Sequence, residues 1–229
     1  MGEGTDAAGV VHVDGPSADA VTAMLRWMLI GLVLLSVVRV ELGPISLIPM
    51  GAACFGWSAF IGWSESASST SRTWWACALV SCVAVAAAST SHASATGTVI
   101  YVAAWGLVLC TFCGAFAATT RALHFGVARR WRQLARASAP AAVLAVATTA
   151  YVASVGELRW GRESGLFMSL GRTQFELPRR AWPVAVLGLL PMAALLLCGL
   201  ALSVATHREA NDVSARADER VPSADDRAV

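Results

Sequence analysis

Residues 98–118 read TVIYVAAWGLVLCTFCGAFAA, an apolar run with no charged side chain in it. A bilayer core is about 30 Å thick, and roughly 20 helical residues cross it. In lipid, a helix also satisfies its own backbone N–H and C=O groups, which an open strand or loop cannot do. The run therefore predicts a transmembrane helix. Working outward, similar apolar runs cover residues 23–42, 45–63, 74–88, 139–155 and 182–206. The one at 74–88 is the weakest, because it fades into Ser89, Thr90, Ser91 and His92.

These runs predict an all-α membrane protein, a bundle of six transmembrane helices. Residues 1–22 read as a disordered N-terminal tail, 23–206 as the six-helix transmembrane domain, and 207–229 as a disordered cytoplasmic C-terminal tail. The first segment carries Glu3, Asp6, Asp14 and Asp19 and no arginine, which is the opposite of a secretory signal. Composition agrees with a membrane setting. The 229 residues are 56% hydrophobic and 14% charged, where a soluble domain carries about 25% charge. All 17 basic residues are arginine. With so much Ala and Val, that bias points to a GC-rich bacterial genome and hence to a bacterial inner (plasma) membrane. The net charge of +2 gives no basis for a nucleic-acid partner.

Small residues recur at helical spacing inside the runs: Ala52, Gly56, Ser58 and Gly62; Gly106, Cys110 and Gly114; Ala141, Ala145, Thr149 and Ala153. Such stripes let membrane helices approach closely. Trp27, Trp63, Trp74, Trp75 and Trp182 lie at run ends, where indole rings favour the headgroup layer. The six cysteines all fall within runs and read as small hydrophobes. Cys110 and Cys113 have redox-type spacing, but no His or acid lies near them in sequence, so packing is the better reading. Pro191 removes the N–H that would bond the Leu187 carbonyl and predicts a kink in the sixth helix.

Two links stand out. The first, 121–136, holds Arg121, Arg129, Arg130, Arg132 and Arg136 and no acid. At about 100° per residue, Leu123, Val127, Trp131 and Leu134 share one arc, with Arg129, Arg132, Gln133 and Arg136 opposite. Phe125 and Arg130 break the pattern. This predicts a basic amphipathic interfacial helix between helices 4 and 5, lying on the inner leaflet. Arg129, Arg130, Trp131, Arg132 and Arg136 are its candidate contacts to anionic lipid or to a partner. Arginine asymmetry then places both termini in the cytoplasm. The second link, 156–181, holds Arg159, Arg162, Arg172, Arg179 and Arg180, candidate contacts for a ligand on the outer side. Within it, Thr173 to Leu177 partly alternates polar and apolar residues, as a short strand does.

Chemistry-bearing patterns are missing. No acid or arginine lies near the middle of runs two to six, where coupled carriers place a charge. There is no HExxH, P-loop or Gly-x-Ser-x-Gly elbow. No catalytic residue, cofactor or metal is assigned, and the reading leans against an enzyme. Two functions fit. One is the membrane subunit of a small-molecule transport or export system, served by a cytoplasmic ATPase docked at the basic link. The other is an accessory or scaffold subunit of a membrane or cell-envelope complex, held to other membrane subunits.

Overall fold

The computed structural model describes residues 17–37, 48–66, 68–90, 94–155, 157–158, 167–170, 173–176, 178 and 180–219. Among the described residues are six helices: α1 (Ala18–Val37), α2 (Ile48–Glu65), α3 (Ser69–Thr90), α4 (Ala95–Ala122), α5 (Ala128–Val155) and α6 (Trp182–Glu219). Four of them, α3 to α6, are long and apolar enough to cross a membrane. The chain is therefore an all-helical multi-pass membrane protein, save for three short strands between α5 and α6. These are β1 (Glu157–Leu158), β2 (Phe167–Leu170) and β3 (Thr173–Glu176), antiparallel in the order β1-β3-β2. The alternating stretch at 173–177 thus supplies β3, with Thr173 opposite Leu170 and Glu176 opposite Phe167.

Each helix packs against its neighbour in sequence, and α6 returns to contact α1, so the helices close into a ring. The side-chain contacts show that neighbours run antiparallel, as short links favour. Ser58 of α2 donates to the Met24 carbonyl of α1 at 2.8 Å. Ser71 of α3 lies 3.2 Å from the Thr119 hydroxyl of α4. Trp131 of α5 donates to Thr206 of α6 at 2.9 Å. One end of the bundle thereby gathers the start of α1, the α2–α3 link, the α4–α5 turn and the C-terminal part of α6. Arg26, Arg72, Arg121, Arg129, Arg130, Arg132, Arg136 and Arg208 all lie toward that end.

The small-residue stripes set the close approaches. A Cβ on Gly106 would stand 2.8 Å from the Ala142 Cβ of α5, and one on Gly114 would stand 2.6 Å from the Trp74 ring of α3. Gly188 of α6 similarly receives Thr148 of α5. Ala141, Ala145 and Thr149 are buried along the facing side of α5. The core between the helices is aromatic. Trp75 meets Phe112 and Phe116 edge-on at 5.6 and 5.2 Å, and Phe55 meets Phe112 at 5.4 Å. Such T-shaped pairs set the positive ring edge against the negative face. Cys113 is buried in this cluster and Cys110 is half-buried, as packing residues would be.

Several sequence expectations change. There is no separate interfacial helix between helices 4 and 5: the basic turns are the start of α5, which runs unbroken through Pro140. Proline forfeits only its own N–H bond, to the Arg136 carbonyl. The buried arc Trp131, Leu134 and Ser138 continues into Ala141, Ala142 and Ala145, so packing favours one helix. Trp131 does not lie on a surface but is buried, at 2% exposure. Trp75 likewise leaves the headgroup layer for the core, where its Nε1 donates to Thr119 at 3.0 Å. Residues 207–219 continue α6 instead of forming a tail, while Pro191, where a kink is expected, lies within that helix. At the other terminus α1 already starts at Ala18, with the Ser17 hydroxyl accepting the Ala20 N–H. Residues 1–16 and 220–229 lie outside the described residues, as does His92.

Candidate functional site

The basic end is built by the α4–α5 turn. Helix α4 stops where the Leu123 N–H bonds the Thr119 carbonyl at 3.0 Å and the Phe125 N–H bonds the Thr120 carbonyl at 2.9 Å. His124 takes the left-handed conformation, with φ at 55°, which reverses the chain. Histidine is among the few residues besides glycine that adopt it with some frequency. Phe125 and Val127 then turn inward and are buried, so Phe125, which breaks the helical arc in sequence, belongs to the core through the turn.

Trp131 fixes the next turns. Its ring stacks on Phe116 of α4 at 4.8 Å, with 19° between the planes, while its Nε1 bonds Thr206 of α6. One residue thus ties three helices together. With Val127, Trp131 and Leu134 facing in, helical geometry turns Arg129, Arg130, Arg132 and Arg136 outward, and all four are exposed. A second polar tie lies beside it. The hydroxyls of Ser66, Ser71 and Thr119 form a chain at 3.0 and 3.2 Å, and Arg72 donates to the Ser66 carbonyl at 2.9 Å. Arg72 is therefore committed to the α2–α3 link.

A groove of about 680 Å³ opens between the start of α3, the last turns of α4 and the basic turns of α5. Arg121, His124, Arg132 and Arg136 line its mouth; Trp74, Gly114, Ala117 and Ala118 line its depth. None of its lining residues is acidic. The arrangement can take up an anion at the mouth and hydrocarbon below. No group of His, Cys, Asp or Glu able to hold a metal occurs among the described residues.

The bundle interior offers less. A cavity of about 70 Å³ lies among α1, α2, α4, α5 and α6, bounded by Met28, Phe55, Trp105, Leu196 and Leu200. Ser203 brings a hydroxyl to its wall, and that hydroxyl already donates to the Gly199 carbonyl at 2.8 Å.

Of the sequence-predicted contacts, Arg132 and Arg136 come together in the groove, while Arg129 and Arg130 are exposed outside it. Trp131 supports the site from within and offers no surface. In the long link, Arg180 is exposed in the turn before α6, and Arg159, Arg162, Arg172 and Arg179 lie outside the described residues. The structure adds Arg121, His124 and Trp74. Arg121 and Trp74 stand in the sequence as a run-end charge and a run-end indole, the two residue types that collect at a membrane interface. Comparison of the chain with protein-family models, with curated proteins and with solved structures gives no match.

Proposed function

We propose that this protein is a non-catalytic accessory subunit of a membrane complex, docking an acidic cytoplasmic partner on Arg129 and Arg130 of α5. In this reading all six helices span the bacterial inner membrane, with both termini in the cytoplasm. Nine arginines among the described residues at one end, the eight above and Arg216 of α6, against five in the 156–181 link favour that orientation under the positive-inside rule. The observation that carries the reading is the fixing of α5 by Trp131. Outward arginines on a helix pinned to α4 and α6 are presented in a set geometry, so less order has to be imposed when a partner binds.

The transport reading shares the same docking end. It stands second because the interlocked rings of Phe55, Trp75, Phe112 and Phe116 pack the space between α2, α3 and α4, and the cavity beside them is small and apolar. Purification in mild detergent, followed by mass spectrometry of co-purifying chains, separates the two. A stoichiometric partner lost in Arg129→Gln/Arg130→Gln supports docking at this face. An unchanged set of partners removes it. A nucleotide-hydrolysing partner would move the transport reading to first place.

A further inference from the structure

We infer that the groove between α3, α4 and α5 is a binding site for an anionic phospholipid. Arg121, Arg132 and Arg136 hold its phosphodiester, and its chains lie along Trp74, Gly114 and Ala118. The inference does not depend on the docking proposal, which rests on Arg129 and Arg130.

Charge is the first argument. Arg121 ends α4, and Arg132 and Arg136 stand one turn apart on α5, yet all three open on one groove that no carboxylate lines. Guanidinium groups stay charged at any physiological pH and present planar forks that match phosphate oxygens two at a time. A phosphate among them relieves their mutual repulsion and satisfies their donors.

Shape decides what carries the phosphate. Arg121 and Cys110 both line the groove, and eleven residues of helix separate them, about 16 Å at 1.5 Å per residue. A water-soluble phosphate ester would use only the mouth. The hydroxyl residues Ser68 and Thr70, at the start of α3, stand at the arginine-bearing end; beyond them toward Cys110 the lining is Trp74, Gly114, Ala117 and Ala118, groups that leave room for hydrocarbon. The indole of Trp74 lies against Gly114, forming a firm wall on one side. Both helices that supply the arginines are long and apolar enough to span, so the groove faces the layer in which lipids stand. Basic pockets between membrane helices recognise acidic headgroups by this combination.

The test is native mass spectrometry of the full chain in detergent, with phosphatidylglycerol and phosphatidylcholine of equal chain length added in turn. Phosphatidylglycerol is expected to be retained at least about tenfold more strongly. Arg121→Gln/Arg136→Gln should lower that retention about tenfold and leave phosphatidylcholine unchanged, while Arg129→Gln/Arg130→Gln leaves both unchanged. Ala118→Phe fills the floor and keeps every charge, so it should also lower phosphatidylglycerol retention. No preference between the two lipids overturns the inference, as does undiminished binding in the groove double variant with an unchanged melting temperature. If that variant does not fold, undiminished binding in Ala118→Phe overturns it instead. Glycerol 3-phosphate displacing the lipid at equal concentration would make this a site for a soluble phosphate ester, and the lipid assignment would fail.

Discussion

Helices α4 and α6 are the two most apolar candidate spans, and the structure uses them in opposite ways. Of the spanning window of α4, 56% of residues are buried; of that of α6, 11%. Yet α6 is the more apolar. It shows Val184, Val186, Leu187, Leu190 and Leu197 to the outside, while α4 carries glycines, alanines and two phenylalanines inward. In water that ordering would be perverse. In a bilayer, lipid tails are as apolar as leucine, so bulk hydrophobicity drives no helix to the centre. What selects the more buried helix is the chance of close contact, and α4 has it on two sides, through Gly114 to α3 and Gly106 to α5.

The strongest way to break this contrast is at the tie between the two helices. Trp131 stacks on α4 and bonds α6, so Trp131→Ala removes both contacts and opens a large hole. The expected loss is about 3–5 kcal/mol, within the range for a buried aromatic cut to alanine. Thermal unfolding in detergent should show a large drop in melting temperature. Trp131→Phe keeps the stack on Phe116 and should cost clearly less. If alanine were tolerated without loss, the basic turns would not be pinned and the geometry proposed for docking would fall with it.

A pair of glycines sharpens the contrast further. In α4, Gly106→Ala sets a methyl 2.8 Å from the Ala142 Cβ, so the α4–α5 backbones must separate. Overpacking of this kind costs about 1–3 kcal/mol. In α6, Gly199→Ala meets only the Leu134 Cδ2 at 3.7 Å, an ordinary contact. Alanine is also the better helix former by up to about 1 kcal/mol. The same chemical change should therefore lower the melting temperature in one helix and leave or raise it in the other. Two shifts of the same sign and size would show that the closeness of α4 is not what holds the bundle.

The residues that decide this contrast were legible in sequence to different degrees. The runs and the small-residue stripes were readable because both are local periodicities, and Gly106, Gly114, Ala145 and Thr149 lie where such stripes should meet a neighbour. The arc of Leu123, Val127, Trp131 and Leu134 was readable for the same reason. Its destination was not, since an apolar face suits a lipid surface and a protein core alike. Only the placement of Phe116 and Thr206, 15 and 75 residues from Trp131 along the chain, decides for the core. Helix continuity through Pro140 and past His207 was hidden because hydropathy marks where lipid is, and helices do not stop at that boundary. The groove was hidden for a stronger reason: Trp74, Arg121 and Arg136 come from three helices, and no spacing along one segment brings them together.

The smallest effect is the most telling test of α6. Leu197 is 69% exposed, and Leu197→Ala removes side-chain atoms that touch little of this chain. If lipid covers that face, acyl chains close over the shortened side chain, no cavity forms, and the change should stay within about 0.5 kcal/mol, as for surface positions away from special features. A partner helix could not flow in that way. Its packing would leave a hole, and the cost would rise toward the ~2–5 kcal/mol of a buried leucine cut to alanine. Measuring the melting temperature of the variant both in the purified chain and in native membranes separates these cases. A shift seen only in membranes would mean that α6 is left bare in the bundle because another subunit covers it. The absence of a shift in either setting leaves lipid as the neighbour of α6 and confines subunit docking to the arginine-bearing end.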